Sequence, residues 1–262
     1  MFTLKNISVR AADRSLLRNI NLIAKPKEIT GLVGKSGSGK STLFRLALGL
    51  LTKTGGYEWE GSISWNGEYL SSGQNPKLQP VFQDPHGSFS PFGSMRELLL
   101  EPARIKNHFF LKTHQKSKEW DRIESYCKRF DLPKELLNKT KQELSGGQLQ
   151  RFAILRALLT GPEYLLLDEP VTALDVLVQK KIAEELKEIN TKENLGMFLV
   201  SHDLGFLSYM CDAIFVLDGG EIVESGRAKE ILANPKSKLL QSLLQAKNHS
   251  FAGTASSSES SN

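Results

Sequence analysis

The sequence predicts an α/β fold with a mostly parallel sheet, an N-terminal antiparallel β region and a helical insertion. Three observations carry this. Short apolar runs alternate with longer stretches of helical spacing, a glycine-rich loop lies between one such run and a helix, and a Lys- and Arg-rich block interrupts the alternation. Strand–helix alternation of this kind places helices on both faces of a parallel sheet.

Taken in order, Thr3–Val9 and Leu16–Ala24 read as paired strands, and Lys25-Pro26-Lys27 as a turn. Glu28–Val33 is a strand running into the glycine-rich loop, and Ser41–Leu51 is the helix that leaves it. Gly61–Trp65 and Leu78–Phe82 are further strands. From Ser94 to Lys141, Leu98, Leu99 and Pro102, then Ile123, Tyr126, Cys127 and Phe130, fall at helical spacing among charges that read as a solvated face. Strands return at Tyr164–Leu167 and Met197–Ser201, with a helix from Leu174 to about Glu193 between them. Ala213–Leu217 and Glu221–Glu224 flank Asp218-Gly219-Gly220, a hairpin signal. The expected domains are a core of residues 1–83 plus 161–247, a helical insertion over 84–160, and a Ser-rich, disordered tail over 248–262.

The chain has 262 residues, 40% of them hydrophobic, enough for a substantial core in one large or two small domains. Its net charge of +5 suits an anionic nucleotide or a membrane surface and is too weak to indicate nucleic acid. Cys127 and Cys211 are far apart and read as reduced thiols rather than a disulfide or metal site. The alternating start Met1-Phe2-Thr3-Leu4 lacks the pattern of a secretory signal. No apolar stretch approaches the roughly 20 residues that cross a bilayer, so a membrane process would need another chain to span.

Gly34-Lys35-Ser36-Gly37-Ser38-Gly39-Lys40-Ser41 fits G-x-x-x-x-G-K-[ST], the Walker A loop of a P-loop NTPase core. Gly34, Gly37 and Gly39 let the backbone wrap around phosphate oxygens, with Ser36 and Ser38 completing the loop. The helix beginning near Lys40 turns its positive dipole end and free N–H groups toward the phosphates, and Thr42 lies in its first turn. Lys40 is expected to neutralise the β and γ phosphates and Ser41 to coordinate Mg²⁺. Tyr164-Leu165-Leu166-Leu167-Asp168-Glu169 is an apolar strand ending in two acids, the Walker B pattern. Asp168 would hold the magnesium shell, and Glu169 would polarise a water for attack on the γ-phosphate.

Leu144-Ser145-Gly146-Gly147-Gln148 resembles the signature motif of the ATP-binding cassette (ABC) family, and Leu149-Gln150-Arg151 continues it. Ser145 can cap the following helix, while Gly146 and Gly147 permit close approach of a phosphate. The resemblance, over about residues 1–246, implies that the substrate is ATP and that the signature of one protomer touches the γ-phosphate held by the other. It also implies that Gln83 is the Q-loop glutamine on Mg²⁺ or the attacking water. Ala173-Leu174-Asp175 becomes the D-loop and His202 the switch histidine on the γ-phosphate. The aromatic that family members stack on adenine after the first strand is missing, because Val9-Arg10-Ala11-Ala12-Asp13 stands there. Either Arg10 stacks by its guanidinium or adenine is held loosely, and weak base discrimination is expected.

Val81-Phe82-Gln83-Asp84-Pro85 through Ser90-Pro91, Gly61-Ser62-Ile63-Ser64-Trp65-Asn66-Gly67, and Asn234-Pro235 followed by Leu239-Leu240 and Leu243-Leu244 are similar to segments of the peptide/nickel importer ATPases. Ser90 replaces their usual Asn, and their His-Pro-Tyr and cysteine-rich tail are absent. This resemblance implies an ATPase subunit at the cytoplasmic face of the membrane, paired head-to-tail with a related subunit or with itself. Two permeases and an extracytoplasmic solute-binding protein would complete the importer, with nickel, another metal or peptides as the solute. A soluble single-cassette ABC ATPase in an assembly process such as iron–sulfur biogenesis is the alternative. A non-hydrolysing regulator is disfavoured by intact Lys40, Asp168, Glu169 and His202, and an exporter by the lack of fused membrane helices.

Overall fold

A computed structural model describes residues 1–51, 55–69, 77–106, 113–172 and 174–255. The chain divides into two compact units, one of residues 1–75 and 197–262, the other of residues 76–196.

The first unit begins with β1 (Phe2–Ala11), β2 (Arg14–Ala24) and β3 (Ile29–Val33), then α1 (Lys40–Ala47), β4 (Tyr57–Trp65) and β5 (Glu68–Tyr69). The second unit holds β6 (Leu78–Val81), α2 (Met95–Leu98), α3 (Glu101–Lys106), α4 (Thr113–Arg129), α5 (Gly146–Leu159), β7 (Tyr164–Asp168) and α6 (Val176–Glu193). Then follow β8 (Gly196–Ser201), α7 (Leu204–Met210), β9 (Ala213–Asp218), β10 (Glu221–Arg227), α8 (Ala228–Ala233) and α9 (Lys238–Ala255).

In the first unit, β2, β1, β4 and β5 form an antiparallel sheet in that order. β1 and β2 are the pair expected from their alternation, with Phe2, Leu4, Ile7 and Val9 facing Leu17, Ile20 and Leu22 in a buried layer. β3 lies between β8 and β9 and is parallel to both, and β10 closes the hairpin antiparallel to β9. All residues of β3 and of β8 are buried. Such runs carry no alternation because a parallel strand is covered on both faces.

α1 is shorter than the stretch to Leu51 that its apolar content suggests. Gly49 adopts φ 68° just beyond the helix, Leu50 N–H donates to Arg45 O at 2.9 Å, and Gly49 N–H to Leu46 O at 2.9 Å. This is the Schellman arrangement, which satisfies the last carbonyls and stops the helix. β4 conversely starts four residues earlier than Gly61, because Tyr57–Glu60 pair with Ala11–Ser8 of β1.

In the second unit β6 and β7 run parallel, Leu78 opposite Tyr164 and Val81 opposite Leu167. Every described element between Asp84 and Thr160 is helical. Ile123, Tyr126, Cys127 and Phe130 form the buried stripe that their spacing predicts. Arg129 then ties α4 to α6, its Nε 2.8 Å from Glu185 and its other nitrogens 3.6 Å from Glu188 and 3.7 Å from Glu193. One guanidinium thus serves three carboxylates, which would otherwise repel one another on a single helix face. Among the described residues no helix is long and apolar enough to cross a membrane. α9 extends to Ala255, into the stretch expected to be disordered, and residues 256–262 of that tail lie outside the described residues.

Cys127 and Cys211 are buried and not joined in a disulfide. Burial, with Glu124 adding to it, pushes the Cys127 thiol up to about 11. Because only the thiolate attacks alkylating reagents, Cys127 in the folded chain is predicted to react with iodoacetamide at pH 8 far more slowly than in denaturant. Mass-spectrometric labelling checks this; equal rates in the two conditions would contradict the buried placement.

Candidate functional site

The first unit carries the glycine-rich loop. Because Val33 pairs with Ser201 on one side and with Val216 on the other, Gly34 and His202 leave the carboxyl ends of adjacent parallel strands. Ligands of open α/β sheets bind at such an edge. Gly34 is packed against the next strand, since a Cβ there would lie 2.4 Å from Leu217 O. Gly39 caps α1 at φ 107° with no side-chain hydrogen bond, and the first turn contains no acidic residue. The helix therefore presents its N-terminal amides and positive dipole end uncancelled.

Side chains in the loop suit an anion. Lys40 is almost fully buried, and its Nζ donates to Gly34 O at 2.9 Å and Lys35 O at 3.0 Å. Ser38 is 6% exposed and its Oγ has no hydrogen-bond partner. An orphaned buried hydroxyl at this position is the kind of group that a bound phosphate oxygen satisfies. Ser36, Gly37 and Ser41 are exposed and Thr42 is half-buried in the first turn of α1. His202 is exposed, and the next residue, Asp203, caps α7 by accepting from Phe206 N–H at 3.0 Å.

The second unit carries the acids and the Leu144–Arg151 motif. Pairing of Val81 with Leu167 brings the exposed Gln83 and the acids Asp168 and Glu169 to the same end of two neighbouring strands. Glu169 is 8% exposed and has φ 49°. A left-handed glutamate costs of order 1 kcal/mol or more and persists only where its surroundings hold it. Here the Thr172 hydroxyl donates to its carboxylate at 2.7 Å, and Thr172 N–H lies 3.4 Å from its carbonyl. Thr172 is a residue that motif reading passed over; its signal is a hydroxyl three residues beyond an acid in a tight turn.

Ser145 caps α5 in a reciprocal box, accepting from Gln148 N–H at 3.2 Å while its own N–H donates to the Gln148 side chain at 3.0 Å. Gly146 is open to any approach, whereas a Cβ on Gly147 would lie 2.8 Å from Leu174 Cδ2. The motif glycine and the leucine before Asp175 are therefore in contact, a coupling that spacing alone does not reveal. Asp175 caps α6 by accepting from Val178 N–H at 3.0 Å, and Ala173 lies outside the described residues. Arg151 anchors the base of α5, donating to Gly147 O at 3.2 Å, Phe130 O at 3.0 Å and Asp131 O at 2.9 Å. Burial lowers its pKa from the ordinary arginine value, opposed by the charges of Asp131 and Asp175. The hydroxyl of Ser41, the amide oxygen of Gln83 and the carboxylate of Asp168 are hard oxygen donors, the set that Mg²⁺ prefers.

At the end of β1, Arg10 is exposed, and the register sets the half-buried Tyr57 opposite Ala11.

The ABC transporter family model matches residues 17–172. A putative peptide import ATP-binding protein of Brucella ovis is 33% identical over 249 residues, covering 92% of this chain and 75% of that one. The nickel import ATP-binding protein NikE of Shigella boydii is 36% identical over 219 residues, covering 81% and 78%. Among solved structures, a bacterial ABC transporter cassette in dimeric form superposes with a TM-score of 0.75 at 26% identity, covering 87% of this chain and 99% of that chain.

Gly39→Ala places a Cβ 2.7 Å from Leu17 Cδ2 and 3.0 Å from Leu16 O at a backbone angle that alanine resists. It is predicted to destabilise the folded chain by about 1–3 kcal/mol, read from urea denaturation without nucleotide. A change within error would contradict the φ assigned to Gly39.

Proposed function

The chain belongs to the ABC transporter family, and on that premise we propose that it is the ATP-hydrolysing subunit energising an importer of nickel, another metal or peptides. The observation that carries the importer reading is the likeness, along 92% of the chain, to an import ATP-binding protein. Its place is the cytoplasmic face of the membrane. There it works head-to-tail with a related ATPase subunit or a second copy, beneath two permeases served by an extracytoplasmic solute-binding protein.

Residues 34–42 cradle the triphosphate. Lys40 transfers its hydrogen bonds from the carbonyls of Gly34 and Lys35 to the β and γ phosphates, and the amides of α1 supply the remaining positive field. Ser41, Gln83 and Asp168 would hold Mg²⁺, which when bound neutralises charge on the phosphate oxygens. Glu169 accepts a proton from the attacking water. The water oxygen bonds to the γ phosphorus as the bond to the β–γ bridging oxygen breaks, leaving ADP and phosphate. His202 steadies the γ-phosphate. Ser145, Gly146, Gly147 and Gln148 receive the γ-phosphate held by the opposite subunit, and Asp175 lies at the join between the two sites. The helical stretch 84–160 acts as the signature subdomain upon the core of 1–83 and 161–247. With no aromatic in Val9-Arg10-Ala11-Ala12-Asp13 to meet the base, either Arg10 stacks on adenine or adenine is held loosely, and base discrimination is weak.

Two measurements test this reading. Glu169→Gln keeps the size and hydrogen bonding of the side chain but cannot take a proton; it should bind ATP, hydrolyse it at least a hundredfold more slowly, roughly the scale of a lost general base, and accumulate as a closed dimer in size-exclusion chromatography. Near-normal turnover would remove Glu169 from the role of base. For the solute, a strain lacking the protein should hold less nickel when grown at trace nickel, with the deficit restored by the wild-type chain and not by Lys40→Ala. Unchanged nickel would point to peptides or another solute.

A further inference from the structure

Behind the glycine-rich loop lies a hairpin that the reaction scheme does not use. Gly219 and Gly220, with φ 52° and 84°, form the two-residue turn between β9 and β10. Gly220 N–H donates to Ser38 O at 3.2 Å, and Gly220 O accepts from Arg18 N–H at 2.8 Å. The Arg18 side chain then holds the turn from the other direction, its Nη2 2.8 Å from Gly219 O and its Nε 2.7 Å from the Glu221 carboxylate. Space is as tight as the bonding. A Cβ on Gly220 would lie 2.6 Å from Leu16 O, and one on Gly34 2.4 Å from Leu217 O.

The consequence follows from the planarity of the peptide group. In a trans peptide the C=O of Ser38 and the N–H of Gly39 point in opposite directions. Pinning the Ser38 carbonyl to the hairpin therefore aims the Gly39 amide away from the hairpin. Left unpinned, the Ser38–Gly39 peptide could rotate readily, because glycine tolerates both signs of φ. Arg18 and Glu221 are about half exposed, at 54% and 53% of their side chains. Their ion pair alone contributes little to stability, so the effect of Arg18 should be felt in the orientation of the turn rather than in folding.

We propose that Arg18 and Gly220 are positioning residues for phosphate: together they set the direction of the Gly39 amide and so the affinity of the loop for the nucleotide. This rests on the reading of residues 34–41 as the phosphate loop. Neither residue touches the nucleotide; each acts through the Ser38 carbonyl.

The test is equilibrium binding of radiolabelled ATP to the full chain carrying Arg18→Met, Arg18→Lys, Gly220→Ala or Lys40→Ala, with a melting curve for each without nucleotide. Arg18→Met is expected to weaken ATP binding roughly threefold to tenfold, the scale of one displaced ordinary hydrogen bond. Its melting midpoint should stay near wild type, and the KM for ATP should rise by a larger factor than kcat falls. Arg18→Lys should recover part of the affinity, and Gly220→Ala should bind more weakly than Arg18→Met. If Arg18→Met binds ATP as wild type does while Lys40→Ala has lost binding, the positioning role is overturned. A lower melting midpoint with unchanged affinity overturns it too. Wild-type binding by Lys40→Ala would overturn instead the phosphate-loop reading on which the proposal stands.

Discussion

β3 is held in register between β8 and β9, with every one of its residues buried, and the glycine-rich loop inherits its position from that ladder. A strand hydrogen-bonded on both edges and covered on both faces cannot shift by one residue without turning its side chains inside out. The point at which the chain leaves the sheet, just after Val33, is therefore fixed to the accuracy of the ladder. From there the loop needs only glycines where neighbours crowd it, at Gly34 and Gly39, to reach the start of α1. His202 leaves β8 at the corresponding point of the adjacent strand, so its placement rests on the same constraint.

The second unit repeats the logic with different chemistry. β6 and β7 form a parallel pair whose shared end delivers an amide and two acids, Gln83, Asp168 and Glu169. Glu169 keeps a strained left-handed conformation because burial and the hydroxyl and N–H of Thr172 hold it there. A carboxylate whose direction is set in advance loses little freedom when a substrate arrives, which is what preorganised catalysis requires. The same economy appears at α5 and α6, where Ser145 and Asp175 satisfy their own helices and leave neighbouring glycine and backbone groups available.

Contacts between motifs give these pieces their mechanical connection. Gly147 and Leu174 touch, and Arg151 grips the carbonyls at the end of α4 while sensing the charges of Asp131 and Asp175. In the first unit the β9–β10 turn and Arg18 stand behind the loop in a comparable way. In the first case a motif residue, Arg151, ties its own helix to backbone outside the motif, and in the second Arg18, outside any motif, holds the turn behind one. Loops that bind phosphate present backbone amides more than side chains, so orientation of the peptide groups is the quantity that such supports control.

The sequence by itself determined the motif residues and most of the elements that carry them. Walker A and B and the Leu144–Arg151 motif were legible because their chemistry demands particular residue types at short spacings, whereas Gln83 and His202 were identified only through the family resemblance those motifs carry. The paired strands β1 and β2 and the stripe of Ile123, Tyr126, Cys127 and Phe130 were legible because burial imposes a period. Short helices such as α7 and α8 escaped notice, since six or seven residues hold too few turns to show periodicity. Tertiary structure alone decided that Thr172 supports Glu169, that Leu174 packs on Gly147, that Gly220 meets the glycine-rich loop, and that Arg18 holds the turn of Gly219 and Gly220. The last of these contacts joins residues some two hundred positions apart. Local propensity has no access to such separations, and they form only when the ladder of β3, β8 and β9 brings the strand ends together.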